Sequence, residues 1–243
     1  MSFRRKPPPG NVRRVISLGH NIRGVTTNKR GHLVQFESEL EHKLLLLLER
    51  DATVADYLSQ PETFHFQDAD GHSRCYTPDF QVWRINGQIE WHEVTVASRR
   101  ESHASLILRE EAARAICSER GWLYRVHTDE TLPSAHEYAN LDCLSAYRAQ
   151  IYAQKPLTAW WLERLAGKEP LHPQVVLAQA SADGFASLTA GLEPGPLLND
   201  LYHLLWHGAI QMDWRHPFFW RDDFHPAARI WLSLSAAGKE YVL

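Results

Sequence analysis

The sequence is poor in the features that mark secreted and membrane proteins. Its 243 residues contain three cysteines, Cys75, Cys117 and Cys143, which are odd in number and widely spaced. They form neither a disulfide framework nor a zinc-binding pattern, so they indicate reduced thiols and a cytoplasmic location. The longest apolar run, Leu44–Leu48, is far shorter than the roughly 20 residues that span a bilayer. The first residues also lack the apolar stretch of a secretory signal.

Two further absences bear on function. No glycine-rich phosphate loop with its lysine occurs, so ATP hydrolysis is not expected of this chain. No acidic residue occurs between Met1 and Gln35, although the formal net charge of the chain is −3. The basic residues of this segment are Arg4, Arg5, Lys6, Arg13, Arg14, Arg23, Lys29 and Arg30. Such a basic arm can neutralise phosphates and release counterions, although a solvated, disordered leader fits the composition equally well.

The pattern along the chain predicts three parts. Residues 1–30 include Pro-Pro-Pro-Gly, lack apolar periodicity and are expected to be extended or mobile. Residues 31–135 are predicted to form an α/β domain with a mixed sheet flanked by helices. Residues 136–243 are predicted to form a small, mainly helical domain that resembles a winged helix.

Local patterns predict the elements of the α/β domain. Ser38 and Glu41 have the spacing of a capping box before a leucine-rich run, which predicts a helix at 39–50. A second helix is predicted at about 102–120, ended by a glycine, and a strand at 122–128 follows it. Turn signals separate three stretches rich in aromatic and β-branched residues, which predicts antiparallel strands at about 63–67, 74–83 and 88–96.

Helical segments punctuated by proline occupy the last third of the chain. The predicted helices lie at 141–154, 158–165, 171–180 and 197–207. A strand-like run at 209–214 comes directly after the last helix and its glycine. A helix, a turn and a strand in this order are typical of winged-helix domains, which is the basis of that prediction.

Two acidic residues, Asp79 and Glu93, lie on neighbouring predicted strands. Asp79 follows Pro78, which interrupts a β ladder, and Glu93 shares one strand face with Trp91 and Thr95. Carboxylates on paired strands can bind one hard cation such as Mg²⁺ or Mn²⁺, which polarises a phosphodiester and activates water. The alternative is an ordinary pair of solvated carboxylates.

Several motifs occur in the order found in one nuclease family. They are Ser38 to Glu41 at the start of the leucine-rich helix, Gln60-Pro61, YTPDF at 76–80 and EWHEVTVA at 90–97. Together they resemble the amino-terminal domain of TnsA, the endonuclease subunit of heteromeric cut-and-paste transposases. That domain is similar to type II restriction enzymes of the PD-(D/E)xK superfamily. PLLNDLYHLLWHGAIQMDW, at 196–214, resembles the carboxy-terminal region of the same family.

The resemblance implies a restriction-endonuclease-like fold and the hydrolysis of DNA at transposon ends with Mg²⁺ or Mn²⁺. It implies that Glu41, Asp79 and Glu93 bind the metal. Our own interpretation of Thr95 is that it belongs to the catalytic set and donates a hydrogen bond to a water or a phosphate oxygen. The resemblance also implies assembly with a TnsB-like DDE transposase and a TnsC-like ATPase regulator. The basic arm is expected to bind the DNA backbone.

One position departs from the family pattern. Thr95 occupies the place of a lysine whose ammonium orients the attacking water and offsets charge on the phosphate. The nearest replacement cations in the sequence are Arg99, Arg100 and Lys43, although a guanidinium does not copy an ammonium. We therefore expect an endonuclease that uses another cation or none. The alternative is a DNA-binding assembly subunit that has lost catalysis, and retention of all three carboxylates favours the endonuclease.

Overall fold

The computed structural model describes residues 23–180, 183, 195–221 and 223–233. The chain divides into two compact units, Met1–Leu132 and Pro133–Leu243. The predicted α/β class is confirmed, because the first unit contains a mixed β-sheet with helices packed against it. Among the described residues, no helix combines the length and the apolar character needed to cross a bilayer.

The first unit contains eight strands and three helices among its described residues. The strands are β1 (Gly24–Thr27), β2 (Leu33–Phe36), β3 (Val54–Ser59), β4 (Phe64–Gln67), β5 (Ser73–Tyr76), β6 (Phe80–Arg84), β7 (Ile89–Thr95) and β8 (Leu123–Thr128). The helices are α1 (Glu39–Arg50), α2 (Ala97–Ser102) and α3 (Ala104–Glu119).

Helix α1 matches its sequence prediction. The Ser38 hydroxyl, at the N-cap, accepts a hydrogen bond of 3.1 Å from the Glu41 amide and so satisfies one of the free N–H groups of the first turn. The leucine-rich run then supplies the buried face of the helix. Leu44, Leu45 and Leu48 pack in one core cluster with side chains of the sheet.

Four strands form the central sheet in the order β3-β6-β7-β8. β7 and β8 are parallel, whereas β6 is antiparallel to both β3 and β7. Side chains alternate between the two faces of a strand. Phe80 and Val82 therefore enter the core that contains α1, while Trp91 packs with Ala113 and Cys117 of α3 on the other face. The sheet thus has a helix on each face.

The strand predicted at 74–83 is two strands in the structure. β5 pairs with β4 in a separate hairpin, whereas β6 belongs to the central sheet. Pro78 lies in the gap between them and has no N–H to donate to a ladder. The chain therefore changes its partner strand at residues 77–79, directly before β6.

Other boundaries also differ from the sequence expectation. β1 and β2 form a hairpin, so residues 24–27 are paired strand rather than part of a mobile arm. β3 lies at the edge of the central sheet and mixes apolar residues with buried Asp56 and Ser59, which obscures its pattern. The helix predicted at 102–120 is α3, and the short helix α2 that precedes it is not predicted by the sequence pattern.

The second unit is mainly helical among its described residues. The helices are α4 (Ala135–Ser145), α5 (Lys155–Leu165), α6 (Pro173–Leu177) and α7 (Pro196–Trp206), with a short 3-10 turn at Gln150–Tyr152. The strands are β9 (Ile210–Met212), β10 (Phe219–Trp220), β11 (Asp223–Phe224) and β12 (Ile230–Leu232). α4 begins earlier than predicted because Ser134 and Glu137 form a complete capping box. β9 follows α7 and pairs with β12; the winged-helix assignment stays a prediction.

A chain of polar side chains lies on one face of the central sheet. Nε2 of His92 is 3.0 Å from the Glu90 carboxylate, and Nδ1 of His92 is 2.9 Å from Nε2 of His127. The carboxylate only accepts, so His92 donates from Nε2 and accepts at Nδ1 from His127. Arg84 and Arg125 also bind Glu90. Burial, and then the neighbouring His92 and Arg125, lower the pKa of His127 to about 4.

We expect this chain to make the fold acid-sensitive. Between pH 6.5 and about 4, His127 binds fewer protons in the folded than in the unfolded state. Its contribution to the free energy of unfolding is therefore complete above pH 6.5 and is lost as the pH falls toward 4. The loss should be on the order of 2 kcal/mol. His127→Gln cannot titrate and should show a shallower decline in urea unfolding across this range; an unchanged slope contradicts the assignment.

Candidate active site

Asp79 and Glu93 lie opposite each other at one end of the central sheet. β6 and β7 are antiparallel with Phe80 opposite His92, and the same register places Asp79 opposite Glu93 on the face that α3 covers. Directly opposed residues have Cβ atoms about 5 Å apart. The Asp79 carboxylate accepts a hydrogen bond of 2.8 Å from the Val94 amide, which fixes it beside Glu93.

Two tyrosines hold the Glu93 carboxylate. The Tyr76 hydroxyl donates a hydrogen bond to Oε2 of Glu93 and lies 2.8 Å from the Tyr124 hydroxyl. Burial, and then the charge of Glu93, raise the pKa of both tyrosines, so both remain protonated. Because the Tyr76 hydroxyl donates its hydrogen bond to Glu93, it accepts a hydrogen bond from the Tyr124 hydroxyl. The result is a short chain of donors that ends on the carboxylate.

Glu93 is one of two opposed carboxyl groups, and its pKa is shifted toward neutral pH. Burial raises the pKa of Glu93 to about 7, although hydrogen bonds from Tyr76 and Asp79 act in the opposite direction. A hydrogen bond between two carboxyl groups requires a proton, because two adjacent negative charges repel each other. The pair is therefore satisfied either by one shared proton or by a cation in its place.

Glu41 approaches the same region from α1. Its Oε2 accepts a bond of 2.9 Å from the Glu37 amide, and its Oε1 accepts one of 3.1 Å from the Ser38 hydroxyl. Burial, and then the charge of Asp79, raise the pKa of Glu41 to about 7. Glu41 thus stabilises the first turn of α1 and also lies within electrostatic reach of Asp79.

Gln60 of the Gln60-Pro61 motif sets the backbone beside Asp79. It is buried and has a φ of 46°, in the left-handed region that residues other than glycine rarely adopt. The backbone N–H of Gln60 donates a hydrogen bond of 2.8 Å to the backbone carbonyl of Asp79. Strained backbone of this kind persists where the surrounding structure holds it. Here it joins the end of β3 to the residue before β6.

Asp79 and Glu93 line one cavity of about 310 Å³. Its other lining residues are Cys75, Tyr76, Thr77 and Arg109. Thr95 borders a much smaller adjoining space together with Glu93 and Arg109. A water molecule occupies about 30 Å³ in the liquid, so the cavity has room for a hydrated ion and a phosphate group.

Arg109 of α3 is a cation at this site that the sequence motifs do not indicate. It lines the cavity with Asp79 and Glu93 as well as the smaller space with Thr95. Its charge acts on Glu93 and lowers the pKa of that carboxyl against the larger effect of burial. Arg109 reaches the cavity because α3 packs against the sheet. Its distance from Glu93 along the sequence therefore does not indicate that the two residues are close.

The three replacement cations expected from the sequence lie elsewhere. Arg100 forms two bonds of 2.7 Å with Glu110, and Lys43 lies 3.0 Å from Glu39. Arg99 is exposed on α2 and lines neither of the two spaces beside Glu93. Within the described residues, Arg109 is therefore the cation that borders both spaces.

The basic arm lies mostly outside the described residues. Arg4, Arg5, Lys6, Arg13 and Arg14 all fall there, whereas Arg23, Lys29 and Arg30 are described. Lys29 donates to the Val54 carbonyl at 2.9 Å and to the Asp51 carbonyl, and burial lowers its pKa. Arg30 lies 3.5 Å from Asp56. Lys29 thus joins the end of α1 to β3, and the predicted contact with DNA would break these bonds.

A different acidic cluster lies in the turn between β4 and β5. Atoms of Asp68, Asp70 and His72 lie within 4.8 Å of one another. Among the described residues, the three carboxylates predicted to bind a metal do not meet that distance as a set. Asp79 and Glu93 lie opposite each other, and within the described residues Glu41 does not form a group with both of them at that distance.

Comparison with protein families identifies this domain. The family model described as TnsA-like endonuclease N terminal matches residues 51–129. Residues 51–129 are therefore similar to the N-terminal domain of TnsA-like endonucleases. The TnsA-like match contains Asp79, Glu93, Thr95 and Arg109, whereas Glu41 and the whole second unit lie outside it. No curated protein sequence matches the chain.

We predict that Glu93→Gln stabilises the metal-free TnsA-like domain above pH 7. A carboxyl whose pKa rises from 4.5 to about 7 on folding favours folding fully below pH 4.5, and this contribution is lost as the pH rises through 7. Glutamine removes the charge and keeps an acceptor for Tyr76. The free energy of unfolding at pH 8 should increase by about 1–2 kcal/mol. Urea unfolding in EDTA measures this, and a variant less stable than the native protein at pH 8 would exclude the repulsion.

Proposed function

We propose that this TnsA-like protein is the endonuclease subunit of a transposase complex. It hydrolyses phosphodiester bonds at transposon ends with Mg²⁺ or Mn²⁺ as cofactor. The opposition of Asp79 and Glu93 across β6 and β7 carries the proposal, because it presents two carboxylates to one cavity. The match to a family of endonucleases supports the same reaction.

The site suits a hard divalent cation. Its donors are carboxylate oxygens, and Mg²⁺ commonly binds one or two carboxylates and keeps several waters. Burial raises the pKa of Glu93 to about 7, and a divalent cation would take the place of the proton that this carboxyl binds below that pH. Glu41 would complete the set through a water molecule, because the three carboxylates do not all lie within 4.8 Å of one another.

Hydrolysis requires an attacking water and a route for its proton. The bound cation would polarise the phosphodiester and lower the pKa of the water. The bond from the water oxygen to phosphorus forms, the bond from phosphorus to one ester oxygen breaks, and the water proton passes to the leaving oxygen. Asp79 and Glu93 border the cavity in which this occurs, and Tyr76 holds Glu93 in position. Thr95 would donate a hydrogen bond to the water or to a phosphate oxygen.

The proposed partners follow from the family rather than from contacts. They are DNA at transposon ends, a TnsB-like transposase and a TnsC-like ATPase regulator. Residues 196–214, which resemble the family's carboxy-terminal region, form α7, a glycine turn and β9 in the second unit. We place the contact with the regulator on this unit, and the contact with DNA on the basic arm and the nuclease site.

A non-catalytic assembly subunit is the second candidate function. Thr95 favours it, because a hydroxyl cannot supply the positive charge of the family lysine. The opposition of Asp79 and Glu93 favours the endonuclease, since two adjacent carboxylates repel each other without a cation to bind. DNA cleavage by the native protein separates the two candidates.

We predict that Asp79→Asn abolishes nicking of transposon-end DNA. The asparagine amide removes one anionic ligand and the negative charge that attracts the cation, so cleavage with Mg²⁺ or Mn²⁺ should fall at least about 100-fold. The assay contains the partner transposase and regulator and measures the rate of nicking on a gel.

The matched control is Asp70→Asn in the exposed turn of the other acidic cluster. It removes the same charge from the same domain and should cut DNA as fast as the native protein. Equal nicking by the native, Asp79→Asn and Asp70→Asn proteins would remove the catalytic assignment. Nicking by none of them under conditions that support transposition would favour the assembly subunit.

We also predict that deletion of residues 1–22 weakens DNA binding and flattens its dependence on salt. This segment contains Arg4, Arg5, Lys6, Arg13 and Arg14. Each phosphate contact that is lost should reduce the slope of log affinity against log salt by about 0.9. Fluorescence anisotropy with a labelled duplex at several salt concentrations measures the slope. An unchanged slope would mean that the arm does not contact the backbone.

A further inference from the structure

We infer that Arg109 supplies the positive charge of the nuclease site, in place of the lysine that the family carries at the position of Thr95. The inference rests on the proposed endonuclease function. It assigns to Arg109 a contact with the phosphate that is cut. The charge comes from α3, on the helix layer that covers the Asp79 and Glu93 face of the sheet, rather than from β7.

The position of Arg109 is the first argument. It lines the cavity of about 310 Å³ together with Asp79 and Glu93, which are the proposed cation ligands. It also lines the adjoining space with Thr95, where the side chain of a lysine at that position would begin. A cation that borders both spaces can reach a phosphate that is bound beside the carboxylates.

The surroundings of Arg109 are the second argument. Its side chain is exposed and lines the cavity wall together with Glu93. The neighbouring Glu110, by contrast, is buried and occupied by the two bonds from Arg100. The acid next to Arg109 in sequence is therefore already neutralised by another residue. Arg109 is left to face the carboxylates of the cavity.

The chemistry of a guanidinium suits this role. Arginine stays protonated at any pH at which the protein is folded, and its planar group binds two phosphate oxygens at once. It cannot transfer a proton, so the attacking water must be oriented by other groups, among which Thr95 and the carboxylates are the nearest in the site. The expected division is that Arg109 stabilises charge on the phosphate and Thr95 helps to position the water.

The test compares four full-length proteins: native, Arg109→Ala, Arg109→Lys and the double variant Arg109→Ala with Thr95→Lys. Arg109→Ala should nick transposon-end DNA about 100-fold more slowly than the native protein. Arg109→Lys should retain part of the rate because the charge remains. The double variant should recover much of the lost rate, since it returns the lysine to the family position.

A second measurement does not depend on cleavage. A positive charge beside the cation site opposes the binding of Mn²⁺, so Arg109→Ala should bind Mn²⁺ about threefold or more tightly without DNA. Isothermal titration calorimetry measures the affinity, and thermal unfolding checks that each variant is folded. A purely structural role of Arg109 predicts weaker binding instead. Arg99→Ala, which removes an exposed arginine from α2, should change neither quantity.

The outcomes distinguish this inference from the proposed function. If native and Asp79→Asn proteins nick DNA equally, the endonuclease proposal fails and the Mn²⁺ affinities alone decide on Arg109. If Asp79→Asn is inactive while folded Arg109→Ala nicks at the native rate, the endonuclease stands and Arg109 is excluded. Unchanged or weaker Mn²⁺ binding by Arg109→Ala also overturns the inference. So does a nicking rate in Arg99→Ala that falls as much as the rate in Arg109→Ala.

Discussion

The antiparallel register of β6 and β7 is the constraint on which the site depends. It places Asp79 directly opposite Glu93, and no rotation of either side chain can move the two carboxylates far apart. Because the two carboxylates are adjacent and half-buried, their repulsion must be reduced by a proton, by hydrogen-bond donors or by a cation. Two hydrogen-bond donors partly offset the negative charge: the Val94 backbone N–H donates to Asp79, and the Tyr76 hydroxyl donates to Glu93. The remaining opening is the cavity beside them.

Sequence reasoning finds the parts of this arrangement that depend on local pattern. The helix at 39–50, the glycine that ends α3 and the turn between β6 and β7 all have short-range signals and appear where expected. It also identifies Asp79 and Glu93, because Pro78 marks a break and alternation assigns Glu93 to a face. β3 and the change of partner strand across residues 77–79 are missed, since strand partners are set by contacts between residues that are distant in sequence.

Arg109 illustrates the limit of motif reasoning more sharply. A search for a cation close in sequence to Glu93 points to Arg99 and Arg100, which are on the next helix. The structure instead engages Arg100 with Glu110 and brings a residue of α3 to the cavity. Lys29 differs from its sequence prediction in another way. It is expected to bind DNA as part of the basic arm, but it donates hydrogen bonds to backbone carbonyls of Asp51 and Val54. Neither outcome can be read from composition, since both depend on how the elements pack.

The left-handed backbone at Gln60 separates two kinds of motif residue. Asp79 and Glu93 present oxygens to the cavity, whereas Gln60 contributes through its amide and the direction in which it sends the chain. A glycine there would relax the backbone but would lose a buried side chain. The Gln60-Pro61 pair therefore sets the direction of the backbone at the end of β3 and supplies no reacting group. Replacement of the two carboxylates would remove the proposed cation ligands but would leave the backbone hydrogen bond from Gln60 to Asp79 in place.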